Sequence, residues 1–142
     1  MAIYVRARSD LDASRPDWQI VPRFAGPSVE ESGGEEFLGT TEGADCTLRD
    51  LRIVEHRGAS AELIVARREL GKSYADSAAT HFDYYRLTRN TEERIGRPPY
   101  YFDFARTVEA RRQYCDVNLA FEQELHLGRQ GIGHGEASQL RF

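Results

Sequence analysis

Apolar and polar residues alternate from Ile3 to Arg8, and a second short apolar run covers Trp18 to Phe24. A period of two marks a half-buried strand, so the first 24 residues predict two strands joined by a polar turn. Pro22 offers no amide proton to a sheet ladder, which restricts the second strand to an edge. From residue 26 to 45 the chain turns to Gly, Ser, Thr and Glu, with only Phe37 and Leu38 to bury. That stretch predicts a loop of the length associated with lids, binding segments or mobile connections.

Beyond residue 45, glycines fall where helices would stop. Segments 47–57, 60–70 and 103–127 end at Gly58, Gly71 and Gly128, and Ser60 suits the N-cap of the second. In the longest segment Ala110, Tyr114, Val117, Phe121 and Leu125 recur at intervals of four, three, four and four, which forms one apolar helical stripe. A period-two pattern competes with it: Tyr100, Phe102, Phe104 and Val108 alternate with polar residues, as do Cys115, Val117, Leu119 and Phe121. Residues 80–89 are aromatic enough for a strand and stay undecided. Richness in Ala, Glu, Arg and Gln favours helix over 103–127. The expected fold is therefore α+β: short N-terminal strands, then a mainly helical second half. The alternative is an all-β chain with long antiparallel strands over 99–127.

At 142 residues the chain predicts a single domain, 1–142, with the Gly/Glu-rich loop at 26–45 and a Gly-rich C-terminal tail at 128–142. Nineteen basic against 23 acidic residues give a net charge of -4 and a pI near 5.6. Such an acidic chain does not draw its affinity from neutralising many phosphates, so nucleic acid is not an expected partner. No apolar run approaches the length of a membrane span, and membrane insertion is not expected. Cys46 and Cys115 are too few for a disulfide framework and lack zinc or redox spacing, so both are read as buried thiols. With no apolar leader at the N-terminus, an intracellular and by default cytoplasmic location is expected.

No catalytic motif survives a check of its context, and no metal site or cofactor is expected. Gly131, Gly133 and Gly135 lack the strand and helix that a phosphate loop requires. Glu122 and His126 match no metal-binding spacing. His81 and Asp83, two apart beside Phe82, Tyr84 and Tyr85, would share one side of a strand and are the weak candidates for a general acid and base.

A denser signal lies between residues 84 and 114, where tyrosines and phenylalanines interleave with Arg86, Arg89, Arg94, Arg97, Arg106, Arg111 and Arg112. Tyr and Arg are enriched at binding hot spots because they bury much area while keeping a hydrogen-bonding end. Tyr84, Tyr85, Arg97, Tyr100, Tyr101 and Arg111, joined by Leu140 and Phe142 of the tail, are the candidate interface residues. The expected function is a non-catalytic protein–protein interaction or a structural subunit of a larger assembly, with other subunits or a second copy as partner. The alternative is a small-molecule binder or enzyme with a His/Asp/Tyr-lined pocket.

Overall fold

The computed structural model describes residues 1–8, 16–24, 34–57, 60–128 and 138–141. The described elements are β1 (Ile3–Arg8), β2 (Pro16–Ile20), β3 (Arg23–Phe24), β4 (Thr41–Glu42), β5 (Thr47–His56), β6 (Ser60–Arg68), β7 (Thr80–Arg89), β8 (Tyr100–Glu109), α1 (Val117–Leu125) and β9 (Ser138–Arg141). Six strands form one curled sheet in the order β3-β8-β7-β6-β5-β4, and three form a second in the order β2-β1-β9.

The mainly helical second half is thus overturned: 50% of the described residues are strand and 8% are helix. Segments 47–57 and 60–70 run as β5 and β6, paired antiparallel from Arg49 opposite Arg67 to His56 opposite Ser60. Both faces of these strands are covered, and one face buries Asp50, Arg52 and Arg68 beside apolar neighbours. Buried charges among apolar residues erase the clean alternation that identifies a strand. The undecided 80–89 stretch is β7, and the all-β alternative fits at β8. Among the described residues only 117–125 is helical, capped by Asp116, whose carboxylate accepts from the Asn118 amide, and ended by His126 in the left-handed conformation. Gly128 is therefore not its cap. The 4-3-4-4 stripe nonetheless collects residues that share a core: Tyr114, Val117 and Phe121 are buried together, with Ala110 and Leu125 against them.

Two cores follow from the two faces of the large sheet. On one, Leu51, Ile53, Ala61, Leu63, Val65, Tyr85 and Phe102 meet Ile3 and Val5 of the small sheet, together with Val21 and Leu38. On the other, Ile64, Ala66, Phe82 and Tyr84 meet Val117, Ala120 and Phe121 of the helix. A bulge between Tyr84 and Tyr85 shifts the β7–β8 register, pairing Tyr85 with Phe104 but Tyr84 with Arg106. The extra residue turns β8 over, so Phe104 faces the first core while Val108, three pairs further on, faces the helix side and is 41% exposed.

The termini lie in the small sheet. β1 pairs antiparallel with β2 and parallel with β9, with Val5 opposite Leu140; the rest of the 128–142 tail, from 129 to 137 and Phe142, lies outside the described residues. Of the 26–45 loop, residues 26–33 also lie outside them; its described part buries Leu38, leaves Phe37 exposed and places Glu35 opposite Arg23.

The cysteines are not thiols. Cys46 and Cys115 form a disulfide across 69 residues, with Cα atoms 5.8 Å apart. No local spacing announced it, because the partners approach only once the β4–β5 turn and the segment before α1 are in place. Nearby, Arg68 is buried and donates to the carbonyls of Ser73, Tyr74, Asp76 and Cys115, fixing the loop between β6 and β7.

Candidate functional site

The connection between β7 and β8, residues 90–99, is an ordered projection. Its base closes where the Asn90 amide donates to the Pro99 carbonyl at 2.8 Å. The Asn90 side chain then spans the loop: Nδ2 donates to the carbonyls of Arg94 (3.2 Å) and Arg97 (2.9 Å), and Oδ1 accepts from the Arg94 amide (2.9 Å). One side chain thus satisfies three backbone groups that strand pairing leaves over, the use to which asparagine is suited in turns. Gly96 supplies a backbone φ of +79°, which residues with a Cβ rarely adopt, and Glu93 takes a φ of +50°.

From the loop's far side Arg97 folds back over Phe24, its guanidinium carbon 3.7 Å from the ring centroid and 5.6 Å from that of Tyr101. Phe24 and Tyr101 meet edge to face at 5.6 Å. A guanidinium over a ring gains from the ring's negative face, so these contacts tie the projection to the edge of the large sheet. What this framework presents is Ile95, wholly exposed, between Arg94 and Arg97. At the base, Thr88, Arg89, Asn90, Arg94, Tyr101 and Asp103 line a hollow of about 200 Å³, too small for a drug-sized ligand.

The candidate interface residues divide. Arg97, Tyr100 and Tyr101 converge at this loop, with Tyr101 buried and Tyr100 half-buried. Tyr84 is buried beneath Arg106, which lies 4.0 Å from its ring centroid, and Tyr85 is buried on the opposite face. Burial pushes both hydroxyls above their ordinary value, against the pull of Arg106 on Tyr84 and of Arg23 on Tyr85. Arg111 lies at the helix side, Leu140 belongs to β9, and Phe142 is outside the described residues.

His81 and Asp83 do share one face of β7, yet no hydrogen bond joins them among the described residues. His81 Nε2 lies 2.9 Å from Glu69, while Asp83 accepts from Arg67 Nε at 2.7 Å and from Thr107 at 2.6 Å. A wider hollow of about 510 Å³ opens beside α1, lined by Arg111, Arg112, Tyr114, Gln123 and Glu124. Within it Arg111 Nε and the Tyr114 hydroxyl each donate to Glu124 at 2.8 Å. Those donors, Arg111 foremost, hold the Glu124 carboxyl below its ordinary value; burial and the bond to Glu124 push Tyr114 up. The trio satisfies itself and braces the helix. Among the described residues no cluster of three or more His, Cys, Asp or Glu side chains could hold a metal ion.

Asn90 and Ile95 were missed in the sequence. The available signal was a lone apolar residue among turn formers and charges, Asn90 to Pro99, where composition announces a loop but not that its tip is apolar and its frame fixed.

Two antiparallel-rich sheets packed face to face, with one helix on the outer face of the larger, define the class of fold. The solved structure titled "Crystal structure of CarG" is similar to it, with a TM-score of 0.61 and 20% sequence identity over 90% of this chain and 87% of that one. At this identity the likeness is one of fold. No protein-family model and no curated protein matches the chain.

Proposed function

We propose that this protein acts by binding another protein, with the 90–99 loop as its contact surface. The observation that carries the reading is the combination at that loop: a wholly exposed Ile95 on a frame already fixed by Asn90, Gly96 and the Arg97 stack. An exposed aliphatic side chain on a loose loop would lose ordering entropy on binding; a preformed loop avoids much of that cost. Within the loop Arg94 and Arg97 are balanced by Glu92 and Glu93, and Arg94 is paired with Glu92 at 3.1 Å, so the partner presents an apolar socket for Ile95 with a polar border.

Affinity purification from the native source with three forms of the chain tests this: wild type, Ile95→Asp and Leu119→Asp, the last altering an exposed apolar residue of α1 far along the chain. One stoichiometric protein retained by wild type and Leu119→Asp but lost with Ile95→Asp is the expected result. Equal retention by all three, or a lone 16 kDa species throughout, contradicts it.

No helix among the described residues is long and apolar enough to cross a membrane. The Cys46–Cys115 disulfide favours an oxidising compartment over the cytoplasm, where thiols are kept reduced. Alkylation of freshly lysed cells, with and without prior reduction, reads this directly: protection of both cysteines before reduction supports it, and immediate labelling of both supports the cytoplasm.

A further inference from the structure

Most of β8 is paired on one side only. Toward β7 its ladder runs to Glu109, whereas on the opposite side the described residues offer only β3, which reaches Phe102 and Asp103. Residues 105–109 are all exposed. The ladder fixes where each backbone group points. The Ala110 amide donates to the Thr80 carbonyl at 2.8 Å, so Ala110, Val108 and Arg106 turn their amides and carbonyls toward β7. Thr107 and Glu109, between them, turn theirs to the open side. Beyond the bulge the sense reverses, and the Phe102 amide points outward to the Pro22 carbonyl at 2.9 Å, where β3 meets it.

Open edges invite another strand, and proteins guard them with lysine, proline or a bulge. The bulge here is at Ala105; after it Arg106, Thr107, Val108 and Glu109 keep unbroken register with β7 and include neither lysine nor proline. The polar side chains at 106 and 107 fold inward across the sheet instead of over the edge. Arg106 lies over Tyr84 of β7, 4.0 Å from its ring centroid, and reaches Glu62 of β6 at 3.9 Å. The Thr107 hydroxyl donates to Asp83 of β7 at 2.6 Å. Past Glu109 the chain leads to α1, which packs over Ile64, Ala66 and Phe82 of β6 and β7, away from this edge.

We infer that this edge pairs with the same edge of a second copy, antiparallel, about a two-fold axis through Val108. The two outward-pointing residues flank Val108 symmetrically. Thr107 of one copy and Glu109 of the other therefore exchange both backbone hydrogen bonds, and the reciprocal pair does the same. Side chains match in this register too. Val108, 41% exposed, meets its own copy in a non-hydrogen-bonded pair, where side chains pack closest. Arg106 stands opposite Ala110 and Glu109 opposite Thr107, so no like charges are directly opposed. An axis through Arg106 or Glu109 would set like charges face to face, and one through Thr107 would oppose Glu109 to the bulged Ala105. That match of the edge to itself names a second copy as its occupant.

Sedimentation of the full chain from about 1 μM to about 1 mM, with hydrogen exchange of single amides at both ends of that range, tests the pairing. A concentration-dependent dimer is expected, in which the Thr107 and Glu109 amides become protected while the Val108 amide is protected at every concentration. Val108→Asp, which sets two carboxylates face to face on the axis, is expected to weaken the dimer about tenfold. Thr107→Pro removes an amide that the β7 ladder does not use and is expected to abolish the dimer. Unfolding temperatures show whether each variant folds; if Thr107→Pro does not, Val108→Asp and the exchange pattern decide. Ile95→Asp is expected to leave the dimer unchanged, which separates this edge from the 90–99 loop. A monomer throughout, a dimer that Val108→Asp leaves intact, or a dimer whose Thr107 and Glu109 amides still exchange freely overturns the inference. Protection of those amides only in the presence of a different protein assigns the edge to that protein and overturns it as well.

Discussion

Of the arginines buried in the large sheet, Arg52 on the helix side and Arg23 on the other face are held in different ways. On the helix side Arg52, 2% exposed, donates to Asp50 Oδ2, the Leu51 and Gly128 carbonyls and Asn118 Oδ1, all between 2.6 and 2.9 Å. Its guanidinium carbon lies 4.5 Å from the Phe121 centroid. Each of its three nitrogens has an acceptor, so Arg52 is part of the frame that fastens α1 to β5. On the other face Arg23 donates to Glu35 and to the Tyr85 hydroxyl and keeps an Nε without a partner among the described residues, as Arg68 does on the helix side. The more partners a buried guanidinium holds, the more groups its removal leaves unsatisfied.

Breaking that comparison begins with Arg52→Met. Removing one partner of a buried ion pair strands Asp50 and Asn118, and a loss of about 3–5 kcal/mol is expected, measured by urea unfolding. Next is the disulfide, which secures the same side of the molecule. Cys46→Ala with Cys115→Ala, or reduction of the wild type, is expected to cost about 2–4 kcal/mol, again by urea unfolding. On the other face, Arg23→Met removes the orphan donor along with the charge, and Glu35 is exposed enough to turn to water. Its expected cost is only about 1 kcal/mol, and a loss as large as that of Arg52→Met would erase the distinction between the faces.

The smallest effect belongs to Glu124. Because Arg111 and Tyr114 hold its carboxyl below the ordinary value in the folded chain, its contribution is present above the unfolded-state value. It is lost as pH falls through the folded one. Glu124→Gln is therefore expected to be less stable than wild type near neutral pH and to match it in strong acid, read from unfolding midpoints across pH.

What the sequence made legible depended on whether a strand had one wet face. β1 has a regular partition and reads at its observed bounds, whereas the second expected strand, Trp18 to Phe24, runs across the break between β2 and β3, which belong to different sheets, and β7, buried on both faces, stays undecided. β5 and β6 do not read as strands, because Asp50, Arg52 and Arg68 are charged residues on a buried face. Composition weighed against β8, whose exposed end from Ala105 to Glu109 reads like helix surface running into α1. The disulfide carried no local mark at all. At the candidate loop the arginine and tyrosine positions were visible, but burial removed Tyr84, Tyr85 and Tyr101 from the surface. The fixing of Ile95 by Asn90 rests on hydrogen bonds that no pattern of polarity encodes.

The central claim is that the 90–99 loop meets a protein partner because its frame is preformed. It is tested most directly by placing a photo-crosslinking residue at position 95 and, separately, at position 119, and comparing the products in the native source with and without Asn90→Ala. A single crosslinked protein at 95, absent at 119 and strongly reduced when Asn90→Ala loosens the frame, is the expected result. Crosslinks at 119 but not 95, or a product at 95 that persists undiminished in Asn90→Ala, would contradict it.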